Sequence, residues 1–353
     1  MLIPKKMNAL VYRGINDLRI ESVPVPAIQS NEILVKVAVC GVCPTDIKKI
    51  QYGTVSPPRI FGHETAGTIA KVGARVRGFR VGERVGLHHH VPCLKCHVCR
   101  HRAFAQCETY KRTGITAGFE PAGGGYAEYV RVMPFVFPGI VKIPAKNSFL
   151  EGAMLEPVNT VLKAIRRMNI LRGDYVWVVG QGPIGLIFTQ LLSLQGINVI
   201  ASDLLESRLE LARKFKARYT LNAAATNFED EIIRITGKKG LDGAIVAVPS
   251  DEATGIAENL TRSGAQILLF AHTRRGTEFS IDPSSICVDE KDLIGSYSSD
   301  ITIQKIVARL IFSRKLDVRK LITHEFSLCD SANAIQLAAN PRPDSLKIVV
   351  VQK

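Results

Sequence analysis

No run of the 353 residues is long and apolar enough to read as a bilayer span. The most apolar stretch, residues 175–192, is interrupted by Gly180, Gln181, Gly182, Pro183, Gly185, Thr189 and Gln190, so it reads as strand, turn and helix. Mean hydropathy is only +0.11, and a membrane is not an expected partner. The first ten residues carry Pro4, Lys5 and Lys6 but no apolar core of signal-peptide length, and a cytoplasmic location is expected. Internal repeats and low-complexity tracts are both missing, which leaves ordinary globular domains. At this length two of them are expected.

Acidic charge is comparatively scarce: 32 Asp and Glu stand against 46 Lys and Arg, a formal net charge of +14. Partners should therefore be anionic. A nucleic-acid binder concentrates such charge in one stripe or tail, whereas here it is spread over Arg75, Arg77, Arg80 and Arg84, over Lys163, Arg166 and Arg167, and over Lys305, Arg309, Arg314, Lys315, Arg319 and Lys320. That spread reads as a basic solvated surface, and no nucleic acid is expected. Eight cysteines in a chain with no visible export signal point to metal or catalysis more than to disulfides. Cys287 and Cys329 stand alone and read as ordinary small buried residues.

From residue 7 to about 141 short alternating runs are separated by Gly and Pro, the texture of a β-rich domain. From about 172 six strand-like runs (VWVVG, NVIASD, RYTLN, GAIVAV, AQILLF, DLIGSY) alternate with helical segments, which implies a doubly wound parallel sheet. Two further helical stretches, 301–313 and 331–339, precede a last strand at 347–351.

Gly180-Gln181-Gly182-Pro183-Ile184-Gly185 lies between a strand and a helix. The first glycine permits a tight turn, the second lets backbone approach a pyrophosphate, and the third allows close helix-to-sheet packing. The helix N-terminus then offers unpaired amides to the phosphates. The next strand ends at Asp203, 23 residues after Gly180, where a carboxylate suits an adenosine ribose and repels a 2′-phosphate. NAD is the expected cofactor, with Arg208 close enough in sequence to soften the choice.

Cys93, Cys96, Cys99 and Cys107 follow C-x2-C-x2-C-x7-C, four thiolates able to close a tetrahedral zinc site with no open position. Cys93-Leu94-Lys95-Cys96-His97 also matches the haem-attachment pattern C-x-x-C-H, but that reading needs export and leaves Cys99 and Cys107 unexplained. Elsewhere, Cys40-Gly41-Val42-Cys43-Pro44-Thr45-Asp46, Gly62-His63-Glu64 and Leu155-Glu156-Pro157 supply a thiolate, an imidazole and carboxylates, a donor set suited to a zinc ion with an exchangeable position.

With these motifs and the run Gly123-Gly124-Gly125-Tyr126-Ala127-Glu128-Tyr129, the chain resembles the zinc-dependent medium-chain dehydrogenases, most closely the branch of sorbitol and other polyol dehydrogenases and threonine dehydrogenase. The resemblance spans essentially the whole length. It implies a GroES-like catalytic domain over 1–156 with a structural zinc lobe at 93–107, a Rossmann NAD-binding domain over 157–296, and a segment 297–353 completing the catalytic domain. It implies that Cys43 and His63 are catalytic zinc ligands and that Glu156 is the third ligand or holds the zinc-bound water, with Glu64 as the rival third ligand. Thr45 corresponds to the hydroxyl that passes on the substrate proton, and Thr160 to a residue packed against the nicotinamide. The activity implied is hydride transfer between NAD and a secondary alcohol, the product being a ketone, with zinc as Lewis acid. A homo-oligomer, dimer or tetramer, is also implied.

Two departures stand out. Pro44 stiffens the loop after the ligand cysteine, and Lys48 stands where many alcohol dehydrogenases carry a relay histidine. The run His88-His89-His90 can be read as exposed loop residues or a weak adventitious metal site. In the related alcohol dehydrogenases, however, the chain just before the cysteine lobe lines the substrate pocket, so the resemblance, aligned by spacing from Cys93, implies His89 or His90 there. An imidazole there suits a hydroxyl-rich ligand, so a polyol, cyclitol or sugar alcohol is the expected substrate. The alternatives are a threonine-type amino alcohol and, from another class, a non-catalytic nucleotide- or nucleic-acid-binding protein on the same scaffold.

Overall fold

The computed structural model describes residues 2–88, 91–109, 123–271, 276 and 278–352. It divides into two compact units, residues 1–159 with 298–353, and residues 160–297. The division falls within one helix, Leu155–Ile165.

In the first unit the chain runs through β1 (Lys6–Gly14), β2 (Asp17–Pro24), β3 (Ile33–Gly41), β4 (Arg59–Ile60), β5 (Glu64–Val72), β6 (Arg84–Gly86), β7 (Tyr129–Val132) and β8 (Val141–Lys142). The second unit holds β9 (Tyr175–Val179), β10 (Asn198–Asp203), β11 (Tyr219–Asn222), β12 (Leu241–Val246), β13 (Thr261–Leu269) and β14 (Asp292–Gly295). The chain then returns to the first unit for β15 (Ile322–Ser327) and β16 (Lys347–Val351).

Strands β2, β1 and β4 form a small antiparallel sheet. The larger sheet has the order β15-β16-β3-β5-β6-β8, with β7 also on β3. At its centre β3 pairs antiparallel with β16, Val349 opposite Gly41, and with β5, Gly41 opposite Glu64. The ends of three strands from remote parts of the sequence therefore meet at Gly41. Alternation along β1 and β3 sends Leu10, Tyr12, Leu34 and Cys40 into one core with Phe61 and Tyr126, while Ile33, Val35 and Val37 enter a second with Ile69 and Val85.

The second unit is a six-stranded parallel sheet ordered β11-β10-β9-β12-β13-β14. Its central strands are buried nearly end to end, as expected when both faces are covered. Trp177, Ile200, Val246 and Ile267 pack together, and Trp177 donates its Nε1 hydrogen to Ser202 Oγ at 2.9 Å.

One reading of the sequence needs correction. Cys287 and Cys329 are exposed, not buried: Cys287 ends a short helix, Pro283–Cys287, and Cys329 sits in the turn before the helix Ser331–Ala339. The β-rich first unit also contains a helix, Pro44–Tyr52, directly after Cys43.

Candidate metal centres and glycine turn

The helix Pro44–Tyr52 explains how Cys43 is presented. Cys43 is extended (φ −110°, ψ 136°), and its carbonyl accepts from the amides of Asp46 and Ile47. Pro44 occupies the first turn, where its missing N–H costs nothing, and Gly53 closes the helix in the left-handed region (φ +61°). Thr45 is half-buried in the first turn, and Lys48 lies one turn further on the same face. Partial burial pushes the Lys48 ammonium below its ordinary pKa.

Asp46 is fully buried. Its Oδ2 accepts from the Gly62 amide at 3.2 Å and lies 3.1 Å from His63 Nδ1. Burial alone would lower the His63 pKa, but the Asp46 carboxylate and the Cys43 sulfur hold it well above the ordinary value. Donor atoms of Cys43, His63 and Glu64 all lie within 4.8 Å of one another.

Glu64 is 2% exposed, and its space is made by glycine: a Cβ on Gly41 would fall 1.9 Å from Glu64 Oε2. The carboxylate is held by Lys347, whose Nζ donates to Glu64 Oε1 at 2.7 Å and to the Val42 carbonyl at 2.9 Å. Glu64 Oε2 is 2.5 Å from the same nitrogen. Burial would strip the Lys347 proton, yet Glu64, Cys43 and Glu156 together keep its pKa raised. Glu156, 6% exposed, is not part of the 4.8 Å group. Burial raises its carboxyl to about 7, with His63 and Lys347 pulling down and Glu64 and Asp46 pushing up. Thr160, 8% exposed, follows one turn along the same helix.

The donor chemistry at Cys43, His63 and Glu64 fits zinc: one sulfur on a half-buried cysteine, with an imidazole nitrogen and a carboxylate oxygen on buried residues, is a set with few thiolates that leaves room for an exchangeable position. Asp46 on the far ring nitrogen fixes the imidazole as carboxylates behind metal-bound histidines do.

The four-cysteine lobe is built locally. The Sγ atoms of Cys93, Cys96, Cys99 and Cys107 lie within 4.8 Å of one another, and those of Cys96 and Cys107 are 4.0 Å apart. That is far beyond a disulfide, and close to the roughly 3.8 Å between sulfurs on a tetrahedral zinc with bonds of about 2.3 Å. The amides of Cys93 and Cys96 point at the Cys107 and Cys93 sulfurs, each at 3.4 Å. Backbone amides of Lys95 and Cys96 pull the Cys93 thiol down to about 6, while burial pushes Cys99 up to about 12. A metal ion would hold all four as thiolates.

In the second unit Gly180 has φ +82°, a conformation that side chains resist, and a Cβ on Gly185 would fall 1.8 Å from the Gly180 carbonyl oxygen. A Cβ on Gly182 would meet nothing, so the turn keeps open the approach a pyrophosphate needs. Pro183 and Ile184 begin the helix Pro183–Leu194. Gln181 is wholly buried, donating from Nε2 to the Val178 carbonyl at 3.0 Å and accepting from Thr189 Oγ1 at 2.8 Å. Asp203, at the end of β10, accepts from the Gln181 amide at 2.7 Å and the Leu205 amide at 3.0 Å, with Arg208 Nη1 3.6 Å away.

His88 is fully buried, its Nε2 3.4 Å from Ser299 Oγ. His89 and His90, the candidates for the substrate pocket, lie outside the described residues. The residues not foreseen are Asp46 as a partner of His63, Lys347 and Gly41. One signal was available for Lys347, a lone lysine opening the otherwise apolar run Lys347–Val351.

The alcohol dehydrogenase GroES-like domain pattern matches residues 29–145, and the zinc-binding dehydrogenase pattern matches residues 183–313. A sorbitol dehydrogenase of Bacillus subtilis is 29% identical, covering 99% of this chain and 98% of that protein. The D-xylulose reductase A of Aspergillus oryzae is 28% identical, with 92% of each chain covered. Among solved structures, a zinc-binding dehydrogenase from Sinorhizobium meliloti bound to NADP superposes with a TM-score of 0.88 at 25% identity, covering 99% of this chain and 100% of that one. An alcohol dehydrogenase from Escherichia coli with NADH does so at 0.87 and 27%, with the same coverage. Relatives alike over nearly the whole length, and two patterns that between them take in both units, agree with the donor chemistry: the chain belongs to the zinc-dependent medium-chain alcohol dehydrogenase family, and is an enzyme that works with zinc and a nicotinamide cofactor.

Proposed function

We propose that this chain is a polyol dehydrogenase that transfers hydride between NAD and a secondary alcohol, with a catalytic metal at Cys43 and His63 and a structural one in the four-cysteine lobe. The observation that carries the reading is the convergence of half-buried Cys43 with buried His63 and Glu64. Zinc at that place would supply Lewis-acid polarisation of the substrate oxygen. The rest falls to the chain itself. Thr45, two residues after Cys43 in the first turn of its helix, accepts the substrate hydroxyl proton while passing its own hydroxyl proton onward to solvent water, so it is left neutral. Asp46 holds the His63 ring, and Glu156, with a pKa of about 7, carries a proton or a charge as the site requires.

For the cofactor, Gly180, Gly182 and Gly185 shape the turn that receives the pyrophosphate, and the Asp203 carboxylate favours an unphosphorylated ribose. Arg208 at 3.6 Å offsets part of that charge, which bears on the NADP held by the Sinorhizobium relative. Polyols are favoured by the relatives, sorbitol dehydrogenases and xylulose reductases, and by the carboxylate at Glu156 where ethanol-type enzymes have cysteine. A homo-oligomer is the expected working form. Among the described residues β14 is hydrogen-bonded on one side only, and Val288, Leu293 and Tyr297 beside it are exposed, an edge a second copy can pair.

The test is a side-by-side assay of polyols, cyclitols, their phosphates, threonine and primary alkyl alcohols with NAD and NADP, read by absorbance of the reduced cofactor. Faster turnover of butanol or benzyl alcohol than of any polyhydroxylated compound overturns the substrate class. Threonine as best substrate moves the chain to the amino-alcohol branch.

A further inference from the structure

We propose that Lys347 competes with the metal for the Glu64 carboxylate, and so sets how tightly the site at Cys43 and His63 holds its ion. The inference rests on the reading that those residues hold a metal. Both Glu64 oxygens lie within 2.7 Å of the Lys347 ammonium, while the same carboxylate belongs to the donor group with Cys43 and His63. One buried carboxylate thus serves two cations, and an oxygen given to the metal is weakened as an acceptor for the lysine. The competition is built into the fold. Glu64 stands opposite Gly41 on β3, and β16 pairs with that same residue on its other side, so the lysine's position is fixed by a strand ladder. Gly41 leaves the carboxylate its space, and the Val42 carbonyl anchors the ammonium beside it. Lys347 donates to Glu64 and to the Val42 carbonyl, so it is a positioning residue acting through Glu64.

The experiment loads cobalt(II) into the exchangeable site of the full-length protein, leaves zinc in the four-cysteine lobe, and reads two quantities: the visible spectrum of the cobalt and its rate of release to a chelator. In Lys347→Met, Glu64 is freed for the metal, so release slows by roughly tenfold or more and the cobalt bands shift. Lys347→Arg restores the wild-type spectrum and rate. In a Glu64→Gln background the same Lys347→Met substitution changes neither. Lys347→Gln, which keeps a donor for the Val42 carbonyl, repeats the comparison should the methionine variant not fold. An unchanged spectrum and release rate in the neutral variants overturns the proposal. Equal slowing in the Glu64→Gln background also overturns it, because the lysine would then act by plain charge repulsion on the ion. If Cys43→Ser leaves the zinc count at two, the metal reading itself fails, a result distinct from either outcome above.

Discussion

The two sulfur-bearing sites were assembled in opposite ways. The four-cysteine lobe is drawn from 15 consecutive residues, 93–107, with two of its thiols half-buried and backbone amides directed at its sulfurs. The other site draws Cys43, His63 and Glu64, with Lys347 on the carboxylate, from distant parts of the chain and hides all but the first from solvent. A site made locally takes much of its shape from its metal when loaded: among the described residues its small apolar cluster is made of Phe104 and the cysteines themselves. A site made globally inherits its shape from the sheet that joins β3, β5 and β16. Loss of metal should therefore unfold the first and merely silence the second.

The sharpest way to break this contrast is His63→Ala. Turnover should fall about a thousandfold or more while the protein stays folded with a lowered thermal midpoint, because buried Asp46 loses the imidazole that partners it, measured by steady-state rates and calorimetry on the same sample. Next comes Cys99→Ser, expected to cost several kcal/mol of stability and one zinc by elemental analysis, with any protein that remains folded keeping its turnover. If the two substitutions exchanged their effects, the two sites would have to exchange roles. A mild chelator should likewise remove one zinc and the activity together, sparing the four-thiolate ion and the circular dichroism of the fold.

A smaller effect is expected in the second unit. Asp203→Ala should cut the preference for NAD over NADP about tenfold, read as a ratio of kcat/KM values. Wild-type protein that already prefers NADP would refute the role given to that carboxylate. The smallest effect belongs to a charge pair remote from both sulfur clusters. Burial would raise the Glu32 pKa, but Arg131, at 2.7 Å, and the Gln29 amide hold it below the usual carboxylate range. Its stabilisation is complete above the unfolded value near about 4.3 and is lost as pH falls through the lower folded value. Glu32→Gln should cost about 1 kcal/mol at neutral pH and progressively less in acid, checked by urea unfolding at both.

What could be read from the sequence follows the same local-to-global divide. The cysteine spacing at 93–107 and the glycines at 180–185 act through neighbours in sequence, so residue order alone exposes them. The six strands of the parallel sheet were legible because each is a buried apolar run between helical segments. Cys43, His63 and Glu156 are single residues whose types offer a zinc donor set and which the family resemblance singles out, but spacing said nothing of their distances. Lys347 and Asp46 escaped because what makes them matter is a partner: a lysine is ordinary until β16 lies beside β3, and Asp46 is ordinary until His63 arrives 3.1 Å away. The exposure of Cys287 and Cys329 escaped for a related reason, since a small apolar side chain at a helix end or in a turn carries no sign of which way it faces.

The ion pair between Glu64 and Lys347 joins residues 283 positions apart. On the ribosome, the cysteine lobe is complete and able to take up its ion long before the last strand is made. At about 5–20 residues per second, an interval on the order of tens of seconds separates Cys107 from Lys347. Throughout it the sheet lacks β16, and Glu64 has no counter-cation from that strand. The site drawn from distant strands is therefore finished only with the last residues of the chain, whereas the four cysteines stand together early.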